Sequence, residues 1–320
     1  MRRKNSRTRQ LACAALAIGA ATAWHVAASR TKRQRLLNQG EISSLRSAWF
    51  DVNGMRVHVR CSIAKAAHAA LPLICVHGWG VSGSYFISTA ERLATGFAVY
   101  VPDLPGHGLS DTPPKALDIP ELAQALIDWM DTAGIPRATL VGQSMGCQVA
   151  VEAAIAHPGR IERLVLIGPA PGPPERSSAE QLGRLLLGTP YERLSIIRHV
   201  VIDYLRMGRR LLPEFRFMMR HPLEKRLVDV NLPALLVHGE KDWITPQWWI
   251  DRLANLLRTD RTEVIAGSAH AVHYNAPAEV AEIIRRFVAG ADQSGISPAF
   301  IDNRAREKAF RNFSQSSPSE

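Results

Sequence analysis

Cysteine is scarce in this chain of 320 residues, and the four present, Cys13, Cys61, Cys75 and Cys147, stand far apart with no C-x-x-C spacing. That excludes a paired-cysteine zinc site and a disulfide framework, and leaves them as small apolar residues suited to burial. Cys13 stands near the beginning of an apolar run rather than just after one, which argues against lipidation. No H-E-x-x-H or equivalent spacing occurs, so no metal is expected. The run His77-Gly78-Trp79-Gly80 lacks the following Lys-Ser/Thr of a phosphate cradle, and no cofactor is expected.

Acid is missing altogether from residues 1–35, which carry nine Lys/Arg: Arg2, Arg3, Lys4, Arg7, Arg9, Arg30, Lys32, Arg33 and Arg35. This segment holds most of the formal net charge of +10. A second basic stretch, 175–228, sets eleven Lys/Arg against six acids, and the rest of the body is slightly acidic. No motif interleaves aromatics with these arginines, so nucleic acid is not an expected partner. Within the leader, Leu11 to Ser29 is an uncharged, Ala-rich stretch of nineteen residues flanked by basic clusters. Residues 1–45 therefore form a basic leader with an apolar signal-anchor at about 11–29. The charge after the apolar run opposes export and favours an uncleaved membrane anchor. Cleavage after Ala21-Thr22-Ala23 or Val26-Ala27-Ala28, with release of the body, is the alternative.

With 46% hydrophobic and 21% charged residues, the remainder can bury one large core. Phe50 to Cys61, interrupted by Asn53-Gly54, reads as a hairpin. Continuous apolar runs follow at Leu73–Val76, Phe97–Val101, Ala138–Val141, Leu164–Ile167, Ala234–Val237 and Glu263–Ile265, the mark of strands buried on both faces. Helical patterns lie between them at 85–95, 120–133, 145–157, 246–258 and 277–289. The expectation is an α/β fold with a mostly parallel eight-stranded sheet flanked by helices. The strand rhythm stops from Pro169 to Pro233. That gap is too long for a loop, and its apolar spacing predicts an inserted helical cap at about 171–230. The body spans 46–290, and 291–320 is a polar tail.

Gly142-Gln143-Ser144-Met145-Gly146 stands between an apolar strand and a helical run, the setting that holds a serine on a tight exposed turn. By itself the pattern arises by chance in roughly one such chain in ten. A serine nucleophile also needs a base and a carboxylate to orient it, and both follow in order. After the strand at 234–237, Asp242 is the preferred carboxylate, with Glu240 and Asp251 as competitors. After the strand at 263–265, His270 is the preferred base, with His273 as the alternative. Gly168-Pro169-Ala170, after the strand ending at Ile167, offers no acid. His77, Asp103 and His107 read as loop-holding residues.

These motifs, with Pro102-Asp103-Leu104-Pro105-Gly106-His107-Gly108-Leu109-Ser110 and His238-Gly239-Glu240-Lys241-Asp242, resemble those of the α/β-hydrolase fold family, in its branch with a His-Gly-x-Gly loop and a helical cap. The resemblance covers about residues 48–290. It implies an oxyanion hole formed by the backbone N–H groups of Trp79 and Met145. Cys147 departs from the second glycine common in relatives, and its small size keeps close packing feasible. A serine at the turn separates the chain from the epoxide-hydrolase and dehalogenase relatives, which place Asp there.

The expected activity is hydrolysis of hydrophobic or lipid-like carboxylic esters, small-molecule substrates, through an acyl-enzyme on Ser144. Trp79, Trp243, Trp248 and Trp249 are candidates for an apolar pocket. The basic cap residues Arg206, Arg209, Arg210, Arg216 and Arg220 suit either an acidic substrate or a solvated face. A carbon–carbon bond hydrolase of ring-cleavage products with the same triad, and a non-catalytic membrane-tethered binding protein on the same fold, are the alternatives.

Overall fold

The computed structural model describes residues 44–62, 71–170, 177–188, 192, 194–259 and 261–293; the leader and most of the tail lie outside the described residues. The chain enters as a hairpin, β1 (Leu45–Val52) and β2 (Met55–Ser62), joined at Asn53-Gly54 with Val52 opposite Met55. β1 starts five residues before the apolar signal did, because its outer half alternates polar and half-buried residues at the sheet edge. The other strands are β3 (Leu73–Val76), β4 (Val99–Pro102), β5 (Ala138–Gln143), β6 (Ile161–Ile167), β7 (Ala234–Gly239) and β8 (Thr262–Ile265). They form one eight-stranded sheet in the order β1-β2-β4-β3-β5-β6-β7-β8. β1 and β2 pair antiparallel, as do β2 and β4, and the remaining pairs are parallel.

Strand alternation divides the core in two. Ile74, Val76, Leu140, Leu164, Leu166 and Leu236 face one side; Leu73, Cys75, Val141, Val165, Ile167, Leu235 and Val237 face the other. Helices α2 (Ile119–Thr132), α3 (Met145–Ala156) and α8 (Gln247–Leu257) cover the first face, contributing residues such as Leu126, Trp129, Val149 and Trp249. Helices α1 (Ile87–Leu93) and α10 (Pro277–Gln293) cover the second with Ala90, Leu93, Ile284 and Phe287, beside Phe86 from the turn before α1. α10 runs four residues past the apolar pattern that predicted it. α2 starts on a capping box: Asp118 accepts from the Glu121 N–H, and the Asp118 N–H donates to Glu121, both at 2.9 Å, an arrangement worth about 1 kcal/mol.

Between β6 and β7 lie α4 (Ser178–Gly188), α5 (Leu194–Met207), α6 (Leu211–Arg220) and α7 (Leu223–Leu227). This cap is tied to α3 at its C-terminal end. Glu152 accepts from His221 Nε2 at 2.8 Å and from Arg226 Nε and Nη2 at 2.7 and 2.9 Å, and Gln148 Nε2 donates to the Met218 carbonyl at 3.0 Å. Burial opposes the Glu152 charge, but the His221 and Arg226 hydrogen bonds outweigh it and hold the carboxyl at about 2. Among the described residues, no helix is long and apolar enough to cross a membrane.

Candidate active site

Ser144 sits between β5 and α3 with φ 54° and ψ −118°, a backbone conformation that costs a side-chain-bearing residue about 1–3 kcal/mol. Its neighbours hold it there. The Ser144 N–H donates to the Ile167 carbonyl at 2.9 Å, and the Cys147 N–H returns to the Ser144 carbonyl at 3.0 Å. The two flanking glycines are needed for space. A Cβ on Gly146 would stand 2.1 Å from the Val76 carbonyl oxygen, and one on Gly142 would stand 2.5 Å from that of Gly146. Cys147 fits the same crowded seam, its thiol donating to the Gly142 carbonyl at 3.2 Å.

Asp242 lies in the turn after β7. Its Oδ1 accepts from the Ile244 and Thr245 N–H groups at 2.8 and 3.0 Å; its Oδ2 accepts from the Thr245 hydroxyl and from His270 Nδ1, the latter at 2.8 Å. Burial opposes ionisation of Asp242, but the charge and hydrogen bond of His270, with the Thr245 donors, hold its carboxyl below the usual range. Burial likewise disfavours protonated His270, yet the Asp242 charge and hydrogen bond outweigh it and raise the imidazole above its ordinary value. Gly168 backs the pair: a Cβ there would stand 3.1 Å from His270 Nδ1 and 3.3 Å from Asp242 Oδ2.

Ser144, Asp242, His270 and Trp79 line one cavity of about 210 Å³, with Val81, Tyr85, Ile196, Val200, Tyr204, Phe215 and Met218 among its apolar walls. The His77–Gly80 loop presses on the nucleophile turn, since a Cβ on Gly78 would lie 3.1 Å from Ser144 Cβ. The Trp79 ring is held between Tyr204 and Phe215, 5.2 and 4.9 Å between centroids, and its Nε1 donates to the Leu211 carbonyl at 3.0 Å. Met145 is the first residue of α3, where backbone N–H groups have no partner within the helix.

The competing acids and base stand apart from this arrangement. Glu240 Oε2 accepts from the Gly267 N–H at 2.7 Å, and Asp251 is exposed on α8, accepting from Gln247. His273 is fully buried on the short helix α9 (Val272–Asn275), its ring 4.3 Å from that of Phe86; burial, then the His270 charge, lowers it to about 3. Buried His77 holds its loop, Nδ1 donating to the Gly78 carbonyl at 2.9 Å and Nε2 accepting from Leu104 N–H at 3.0 Å. Buried His107 faces Glu214 of the cap at 3.2 Å.

The tryptophans divide differently from the sequence expectation. Trp79 and Trp243 line the cavity, whereas Trp248 is exposed and Trp249 is buried, donating to the Pro169 carbonyl at 3.1 Å. Adjacent positions on one helix turn point about 100° apart, so they cannot share a wall. Of the five cap arginines, Arg210 is engaged with the Gly106 carbonyl, while Arg206, Arg209, Arg216 and Arg220 are exposed. Sequence reasoning missed Thr245, Gly168 and Glu192. The spacing Asp242-x-x-Thr245 was a readable sign of a side chain bonding its own turn; the other two depend on packing between distant segments.

A family model described as the alpha/beta hydrolase family matches residues 73–283. A curated pimeloyl-acyl-carrier-protein methyl ester esterase from Neisseria meningitidis serogroup C is 31% identical over 247 residues, covering 67% of this chain and 92% of that protein. One of the same description from Chromobacterium violaceum is 29% identical over 201 residues, 54% of this chain and 77% of its own. A solved structure described as a membrane phospholipase A and bacterial virulence factor matches with a TM-score of 0.71 at 22% identity, over 90% of this chain and 100% of that one. The chain belongs to the alpha/beta hydrolase family.

Proposed function

We propose that the protein is a serine esterase that cleaves hydrophobic or lipid-like carboxylic esters through an acyl-enzyme on Ser144. The observation that carries this reading is the 2.8 Å Asp242–His270 pair opening onto the same apolar cavity as a serine held at φ 54°. As Ser144 Oγ attacks the ester carbonyl, His270 takes the hydroxyl proton, and the imidazolium is stabilised by ionised Asp242. The oxyanion accepts from the Met145 and Trp79 N–H groups, each such donor being worth about 3–4 kcal/mol. The intermediate collapses, the C–O bond breaks and the alcohol leaves with the proton from His270. Water, deprotonated by His270, then attacks the acyl-enzyme and restores Ser144 with its proton while the acid departs. The esterases among the relatives support this chemistry, and the aromatic and aliphatic walls support an apolar acyl group.

Labelling by a fluorophosphonate, lost in Ser144→Ala, is the expected result, together with turnover of p-nitrophenyl esters that depends on chain length. Faster cleavage of a vinylogous diketone acid than of any ester would reassign the site to carbon–carbon bond hydrolysis. A folded wild type that neither labels nor turns over would make it a binding protein.

We further propose that residues 11–29 hold the protein at a membrane. The length of the apolar stretch and its basic flanks support this reading. Mass spectrometry of the mature protein is expected to find the leader intact; a terminus at Trp24 or Ser29 would show a cleaved signal instead.

A further inference from the structure

Glu192, in the connection between α4 and α5, is the acid that the cap brings to the base. Its Oε1 accepts from the Ala271 N–H at 3.0 Å and its Oε2 from Asn275 Nδ2 at 2.7 Å, so one carboxylate grips both ends of the short segment that begins beside His270. It also lines the cavity shared by Ser144 and His270.

We propose that Glu192 is a positioning residue for ester hydrolysis: a cap carboxylate that fixes the loop carrying His270 and adds negative charge behind the base. The proposal rests on the assignment of His270 as that base. Its physical logic is that a histidine loop pinned through the adjacent N–H cannot drift from the nucleophile, and small misplacements of a base cost rate steeply. The groups facing His270 are Asp242 from the turn after β7, Glu192 from the cap and His273 from α9, while Lys241, Tyr85 and Tyr204 stand on the same cavity or beside it. After burial, which lowers it, Asp242 and then Glu192 favour the charged imidazole. Glu192 therefore acts twice, through geometry and through charge, and the two can be separated.

The test is the pH dependence of kcat and KM for a p-nitrophenyl ester with the full chain, comparing wild type, Glu192→Ala and Glu192→Gln. Glutamine keeps an oxygen for the Ala271 N–H, and its amide can bond Asn275 once that side chain turns its own oxygen. Glu192→Ala is expected to lower kcat about tenfold or more with a smaller change in KM, as for a displaced base. Glu192→Gln is expected to recover most of kcat on the plateau while its acidic limb moves to lower pH, because one anionic neighbour is gone. Thermal melts of the variants separate misfolding from misplacement, and Glu192→Gln supplies the reading if the alanine variant does not fold. Wild-type kcat and an unmoved acidic limb in both variants would overturn the proposal, as would a rise in KM alone. An inactive, unlabelled wild type would instead overturn the esterase reading, and is seen before any variant is made.

Discussion

Among the described residues, two Asp–His pairs have nearly the same geometry. His58 Nδ1 donates to Asp103 at 2.9 Å, and His270 Nδ1 donates to Asp242 at 2.8 Å. What surrounds them differs. Asp103 also accepts from Arg60 at 2.9 Å and from the Gly83 and Leu109 N–H groups at 2.7 and 3.0 Å, knitting β2, the turn before α1 and the 102–110 loop together. The His58 ring is closed off, 1% exposed, and its Nε2 meets no hydrogen-bonding partner among the described residues. His270 keeps 14% of its side chain exposed and shares a cavity with a serine on a strained turn. An Asp–His hydrogen bond is therefore no signature of catalysis by itself; what sets the His270 pair apart is its opening onto the cavity that Ser144 lines.

The comparison breaks most cleanly at the carboxylates. Asp242→Asn is expected to lower kcat by about 10⁴ through loss of the tautomer that faces Ser144, with little change in melting temperature. Steady-state kinetics beside a thermal melt checks both halves. Asp103→Ala should do the reverse: about 3–5 kcal/mol of stability is lost because Arg60 and the loop N–H groups are left buried and unpaired, read as a lower denaturant midpoint. Enzyme that remains folded should keep kcat within a few-fold of wild type, and a thousandfold loss would abolish the distinction drawn between the pairs.

Smaller effects are expected from the glycines behind each pair. A Cβ on Gly108 would stand 2.4 Å from Asp103 Cγ, whereas one on Gly168 would stand 3.1 Å from His270 Nδ1. Gly108→Ala should thus cost more stability than Gly168→Ala, while Gly168→Ala should cost more activity, about tenfold in kcat, by tilting the base. The subtlest difference is in titration. As the proposed base, His270 must be neutral to accept a proton, and its raised pKa is expected to place the acidic limb of kcat/KM above the ordinary histidine value of about 6.5. Activity is lost as pH falls through that limb. For Asp103, burial opposes ionisation, but the His58 hydrogen bond and Arg60 charge hold the carboxyl well below its usual value. A depressed carboxylate stabilises the fold above its unfolded pKa of about 3.9, and that contribution is lost as pH falls through the folded value. Acid melts should show it reduced in Asp103→Asn.

The strands and the Ser144-Asp242-His270 order were readable because both depend on local pattern. Strands buried on two faces read as continuous apolar runs, and the residues proposed for the chemistry sit at strand ends, where a short polar motif follows each run. The same logic could not distinguish His58 from His270, since neither partner is near in sequence. Nor could it find Glu192, 79 residues before the N–H it binds, or tell that Trp249 turns inward while Trp248 meets solvent. A helix pattern shows that one face is apolar; the neighbour it meets is decided by the assembled sheet.

Cys147 carries a practical consequence. It lies three residues from Ser144, yet its thiol is fully buried, spends its proton on the Gly142 carbonyl and is pushed upward by burial. Thiolate, the form that alkylating agents attack, is therefore suppressed beside the proposed nucleophile. Maleimides and iodoacetamide will pass this turn by while a phosphonate stops the enzyme, so a surface cysteine can be introduced for dyes or supports without first removing the native one at 147.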